Sequence, residues 1–240
     1  MKIAPGIHRV GTGLVNVYLL EDAGEVTIID AGLSGMWNEV PAELAAMGRS
    51  VDKIRALVLT HAHVDHVGFA ERLRRERRVP VSVHELDARL ARGEVSPKNQ
   101  SLGKIRLPVL RFIWYGVTHG MSTNLKIAEV STFGDGATLD VPGAPRVIHT
   151  PGHSEGSAAL HVPSRDALFI GDAFATYNVL SGETGPQIAP FSSDVPRARE
   201  SLARLERIEA GLVLPGHGQP WTQGVSEALR IIRAAPASAR

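Results

Sequence analysis

Between Thr60 and Gly68 the chain reads THAHVDHVG, which places three histidines and an aspartate in six consecutive positions directly after the apolar run IRALVLT. This feature limits the fold more than any other. An aliphatic, β-branched run of that length reads as a buried strand. Imidazole and carboxylate groups at its end are tolerated only if they are paired or hold an ion. His61 and His63 flank a single residue, so in extended backbone both point to the same side. Asp65 and His66 follow a turn later, where the chain is expected to enter a helix, and aim at a neighbouring point. One segment thus offers donors to two adjacent centres.

The same context recurs three times, with His153 in HTPGHSEGS, Asp172 in FIGDAF and His217 in LPGHGQP. Each follows an apolar strand-like run and lies among glycines that permit close backbone approach. The chain has no cysteine. Thiolate ligation and disulfides are therefore excluded, and a metal would be held by imidazole and carboxylate. Seven nitrogen and oxygen donors suit two zinc-like ions, with one carboxylate shared and water completing the coordination. A lone histidine after a strand is usually a hydrogen-bonded structural residue; the recurrence of the pattern is what argues for metal. His8, His84, His149 and His161 lie inside or beside strands and read as structural, while His119 fits neither class.

The rest of the sequence frames such a centre. NVYLL and EVTIID are short strand-like runs joined by the turn signal EDAG, and VPVSVH, PRVIHT, SAALHV, ALFIGD and GLVLPGH also read as strands. Helical spacing is expected over MWNEVPAELAAMG, over VGFAERLRRERR, and over DVPRARESLARLERIEA with Asp194 as its cap and Pro196 in its first turn. A last helix is expected from about Gln223. Two strand-rich halves, each with helices, imply two sheets packed together and covered by helices outside. No repeat or linker separates the halves, so residues 1–240 are expected to form a single domain. Residues 93–127 break the rhythm and read as an insertion. The balance of 26 basic and 25 acidic residues argues against a nucleic-acid coat. The N-terminus lacks the apolar core of a signal peptide and no run could span a bilayer, so a cytoplasmic location is expected.

THAHVDH, TPGHSEGS, GDA and PGHG, in this order, resemble the metallo-β-lactamase-fold hydrolase superfamily, and the resemblance runs from NVYLL to PGHGQP. It implies an α/β (α+β) fold, a four-layer αββα sandwich of two mixed β-sheets with a dinuclear site at one edge. By position, His61, His63 and His153 would bind one metal, Asp65, His66 and His217 the other, and Asp172 would bridge them. Asp30 in IIDAG matches an aspartate that braces the histidine loop; an aspartate opening a turn after a strand is the plainer reading. The cofactors implied are two divalent ions, zinc by preference, with iron or manganese compatible.

The chemistry implied is hydrolysis by a metal-bridging hydroxide, with Asp65 and Asp172 as the catalytic carboxylates. A thioester, lactone or other ester of a small, anionic or acyl-bearing molecule is the expected substrate. Asp172 argues against a true β-lactamase, and the short tail after His217 against a typical glyoxalase II, leaving a glyoxalase II-like or lactonase-like branch. The alternatives are a ribonuclease Z-like phosphodiesterase, with RLRRERR on phosphates rather than as a solvated helix face, and a non-hydrolytic binding or diiron redox protein. Residues 96–127 carry five Lys or Arg, no acidic residue, and the apolar cluster Leu110, Phe112, Ile113, Trp114 and Tyr115. This segment reads equally as a lid in which Trp114 encloses an acyl group, as a core element, or as a homodimer contact. Tyr177 is a candidate hydrogen-bond donor to substrate: lactonases of the superfamily use a tyrosine near this place, although the local spacing departs from theirs.

Overall fold

Alternation along single strands builds the layers. In the strand containing Val17 to Leu20, Val17 and Leu19 join one apolar cluster while Tyr18 and Leu20 join another. All four are buried, and a strand that is apolar on both faces needs a cover on each. The same division recurs in the second half, where Leu168 and Ile170 face one cluster and Ala167 and Phe169 the other.

The computed structural model describes residues 1–98, 105–122 and 125–235. Seven strands form the first sheet in chain order: β1 (Lys2–Ala4), β2 (Ile7–Val10), β3 (Val17–Asp22), β4 (Glu25–Ile29), β5 (Ile54–Val58), β6 (Val81–His84) and β7 (Ser131–Phe133). Neighbours are antiparallel from β1 to β4 and parallel from β4 to β7. The second sheet takes β8 (Arg146–His149), β9 (Ala158–Val162), β10 (Ala167–Gly171) and, beyond the ribbon β11 (Ala175–Tyr177) and β12 (Thr184–Gln187), β13 (Leu212–Pro215). Its order is β13-β10-β9-β8, with only β10 and β13 parallel. Parallel neighbours require crossovers. These run through α1 (Val40–Ala46), α2 (Ala70–Arg77), α3 (Ala88–Ala91), α4 (Leu107–Thr118) and α5 (Val195–Ser201), and α6 (Gly224–Ala234) closes the described chain.

Three apolar clusters separate four layers. The first joins Leu19, Ile28 and Leu57 of one sheet to Leu44 of α1, Leu73 of α2 and Phe112 of α4. The middle one lies between the sheets, where Tyr18 meets the Phe169 ring edge-on at 5.4 Å. The third joins Leu168 and Val213 to Ala228, Leu229 and Ile232 of α6. This is the four-layer αββα sandwich expected.

The local differences have physical causes. The expected helix around residues 36–48 is split into a 3-10 turn, Ser34–Asn38, and α1, with Pro41 in the first turn of the second piece. The long helix from Asp194 tightens into a 3-10 turn at Leu202–Leu205, although Asp194 caps its start by accepting from the Arg197 N–H at 2.9 Å. The segment after Asp172 folds into the β11–β12 ribbon. Asp65 and His66 stand in a turn rather than in a helix, because α2 begins only at Ala70. Within the insertion expected at 93–127, residues 99–104 and 123–124 lie outside the described residues, and α4 occupies Leu107–Thr118.

Candidate metal centre

Six strands deliver the site from their carboxyl ends. Asp30 follows β4, Thr60 to His66 follow β5, and Asp87 follows β6; His153 follows β8, Asp172 follows β10 and His217 follows β13. The two sheets therefore meet the same point from opposite sides, the usual place for a ligand in an open sheet. His61, His63, Asp65, His66, His153, Asp172 and His217 are all buried. Their ligand atoms fall into three overlapping sets: His61, His63 and His153; His61, His66 and Asp172; and Asp65, His66 and His217, each set within 4.8 Å. Asp172 stands between them, with His153 Nε2 at 3.5 Å, His217 Nε2 at 3.1 Å and His66 Nε2 at 3.8 Å. Asp65 Oδ2 lies 3.3 Å from His217 Nε2.

Hydrogen bonding fixes which nitrogen of each ring is free. His66 Nδ1–H donates to Asp30 Oδ2 at 2.9 Å. Thr60 Oγ1 donates to the same oxygen at 2.8 Å, so it accepts from His61 Nδ1–H at 3.1 Å. Ser192 Oγ donates to the Ala189 carbonyl and accepts from His153 Nδ1–H at 3.3 Å. His217 Nδ1–H donates to the Leu14 carbonyl. Each bond commits Nδ1–H, so the neutral form of each ring carries its lone pair on Nε2, the tautomer a metal requires. Among the described residues, His61 Nε2, His66 Nε2, His153 Nε2 and Asp172 Oδ1 are buried without a hydrogen-bond partner. Buried polar atoms are almost always satisfied, and four orphans gathered in adjoining ligand sets fit divalent metal ions. The donor chemistry agrees: imidazole with carboxylate and no sulfur suits zinc, iron or manganese.

Charge in the cluster is finely divided. Burial, reinforced by the neighbouring imidazoles, holds His61 well below its ordinary value and takes His153 down to about 3. Burial opposes protonation of His66 and His217 too. Asp30, Asp172 and Asp65 outweigh it at His66, which is pushed up to about 9, and Asp172 with Asp65 raises His217. Burial works against ionisation of Asp65 and Asp172, yet the facing histidines, chiefly His66 for the first and His217 for the second, keep both below the usual carboxylate range.

Asp87 is a part of the site that sequence reading missed. It is buried and accepts from Ala62 N–H at 3.0 Å, Ser154 Oγ–H at 2.7 Å and Gly156 N–H at 2.7 Å. It thereby ties the loop of His61 and His63 to the loop of His153. The available signal was an aspartate just past a strand end, as at Asp30 and Asp172. Gly216 is also required, because a Cβ there would collide with Asp172 Oδ1 and with His66 Cε1. Phe112 of α4 faces the His217 ring at 6.1 Å. Trp114 is on the outward side of the same helix and is not brought to the seven donors. Tyr177 lines a cavity of about 340 Å³ beside Leu14 and Gly218, together with Arg111. None of the remaining histidines joins a possible metal group among the described residues. His84 instead stacks on His149 at 4.2 Å, and His119 stacks on Tyr115.

Known proteins are similar to this chain in sequence and in fold. The family model described as the metallo-beta-lactamase superfamily matches residues 10–217. The chain is 27% identical over 233 residues to the probable metallo-hydrolase YflN of Bacillus subtilis, covering 92% of this chain and 87% of that one. It is 27% identical over 219 residues to the probable metallo-hydrolase YqgX of the same organism, covering 91% of each. A crystal structure of TTHA1623 in a di-iron-bound form superposes with a TM-score of 0.64 at 27% identity, covering 96% of this chain and 98% of that one.

Two outcomes are expected from this geometry. Asp172→Ala should weaken metal uptake at both positions, and Asp87→Ala should lower affinity roughly 10–100-fold by releasing both loops. His161→Gln should leave it unchanged; competition with a chromophoric chelator measures all three. The second outcome concerns pH. The raised His66 contributes stability to metal-free protein that is complete below its unfolded value and is lost as pH rises through about 9. Chelator-treated protein should therefore melt at lower temperature as pH climbs from about 6.5 to 9, whereas metal-loaded protein, with His66 and His217 already deprotonated, should not. A metal-free Tm that rises across this window would contradict the assignment.

Proposed function

The chain belongs to the metallo-beta-lactamase superfamily, and on that premise we propose that it is a dinuclear metal-dependent hydrolase acting on a thioester, lactone or other ester of a small acyl-bearing molecule. One observation carries the reading: orphaned lone pairs from both sheets gather in adjoining ligand sets, with Asp172 between them. In this reading His61, His63 and His153 hold one ion, Asp65, His66 and His217 the other, and Asp172 touches both. Two divalent ions there would activate a water near neutral pH and draw charge from an acyl carbonyl; zinc is the preferred metal, with iron and manganese compatible.

The chain's own groups do the rest. Asp65 is the least deeply buried of the seven donors at 8% exposure. Its neighbouring histidines keep it ionised, so it can accept a hydrogen bond from the attacking water and carry the proton toward the leaving group. Asp172, also ionised, holds both ligand sets in register. His63 and His153 open onto a cavity of about 330 Å³ whose walls include Leu86, Leu90 and Val95 with Arg89. Arg89 also pairs with Glu94 at 3.3 Å, so it is the apolar wall that suits an acyl chain. Tyr177, in the neighbouring cavity, is a further candidate for contact with substrate.

Phosphodiester cleavage by the same centre is the second reading. The basic run of α2 gives it little support, because Arg72 pairs with Glu76, Arg74 with Glu71 and Arg77 with Asp52. Those arginines are already answered by carboxylates of the same surface.

A single metal-loaded preparation assayed against thioesters, lactones and bis(4-nitrophenyl) phosphate distinguishes the two readings. The expectation is kcat/KM highest for an acyl ester and a drop of roughly 10²–10⁴-fold in kcat for Asp65→Asn. Faster turnover of the phosphodiester than of any ester would overturn the ester reading.

A further inference from the structure

Helix α4 is apolar on two sides. One side, Val109, Phe112, Tyr115 and Gly116, is buried. The other, Leu107, Leu110, Trp114 and Val117, recurs at helical spacing and is 79%, 51%, 71% and 69% exposed, and Ile105 just before the helix is exposed as well. Among the described residues eight large apolar side chains are exposed, and five of them fall between Ile105 and Val117. Scattered exposed hydrophobics are ordinary, but a contiguous stripe of this kind marks a contact surface.

Charge indicates what the surface meets. Residues 96–127 hold five basic and no acidic residues, leaving 21 basic against 25 acidic in the rest of the chain. Arg106 and Arg111 sit on α4 or at its edge and are exposed. An apolar stripe containing tryptophan, flanked by arginine and lacking any carboxylate, is the composition of a helix lying in a membrane interface. We propose that α4 docks this molecule on an anionic phospholipid bilayer, with Leu107, Leu110, Trp114 and Val117 among the acyl chains and Arg106 and Arg111 at the lipid phosphates.

A second copy of the chain fits the same stripe less well. Two-fold pairing through α4 would set the arginines of one copy against a like-charged segment that has no carboxylate to answer them. No helix of the described residues is long and apolar enough to cross a membrane, so the contact is peripheral. Docking does not depend on the hydrolase reading. If that reading holds, docking has a consequence, because Phe112 on the buried side of α4 faces His217. The site would then lie beside the surface in which amphiphilic acyl compounds partition.

Flotation of the full-length protein with vesicles tests this, using phosphatidylcholine alone and phosphatidylcholine mixed with phosphatidylglycerol. The wild type should float with the anionic vesicles, release at high salt, and show a blue shift of tryptophan emission on binding. The double variant Leu110→Glu, Val117→Glu, at exposed positions and checked for an unchanged circular dichroism spectrum, should bind at least roughly tenfold less. The proposal is overturned if the wild type stays in the buffer, if it floats equally with neutral vesicles, or if the double variant floats like the wild type. It is overturned equally if light scattering finds a dimer that the double variant dissociates while neither form binds vesicles.

Discussion

The Asp30 carboxylate is the anchor on which the rest of the centre depends. Its backbone is left-handed, with φ at +60°, a conformation that aspartate tolerates better than most residues. From there it accepts the Thr60 N–H and Thr60 Oγ1–H, both at 2.8 Å, and His66 Nδ1–H at 2.9 Å. Both ends of the histidine loop are thus held by one buried anion. Through Thr60 Oγ1 the same anion also sets the tautomer of His61. Asp87 does the equivalent for the other half, joining Ala62 to Ser154 and Gly156. Two carboxylates from one sheet therefore aim ligands carried by both, which is how outlying hydrogen bonds determine metal affinity.

The apolar layers and the polar edge divide the energetic work. Burial of three clusters supplies the stability, and the donors gather where the strands end. In the absence of metal the edge is an assembly of mutually dependent charges, with His66 and His217 protonated against Asp30, Asp65 and Asp172. His66 and His217 would have to give up those protons to hold a metal ion, so metal uptake would be coupled both to pH and to folding.

Much of this was legible in the sequence, and the reasons are particular. The strands showed because alternation at Val17 to Leu20 and at Ala167 to Ile170 is apolar on both faces. His61 to His66 showed because the donors crowd into one segment, and His153, Asp172 and His217 because each follows a strand and lies among glycines. Asp87 did not show: HELD resembles an ordinary helix start, and its partners are 25, 67 and 69 residues away. The extents of β1 and β2 were hidden by their polar residues, although His8 of β2 read as lying inside or beside a strand; Arg9 is buried in β2 and donates to Gln219 at 2.9 Å across the fold. Helix α4 left three readings open because it is apolar on two sides, and a periodicity argument assumes one.

Anomalous diffraction from crystals of the metal-loaded protein, collected at the absorption edge of the bound element, counts and locates the ions. Two peaks roughly 3.5–4 Å apart are expected, one ringed by His61, His63 and His153 and the other by Asp65, His66 and His217, with Asp172 between them. A single peak in fully loaded protein, or peaks away from these seven residues, would contradict this arrangement.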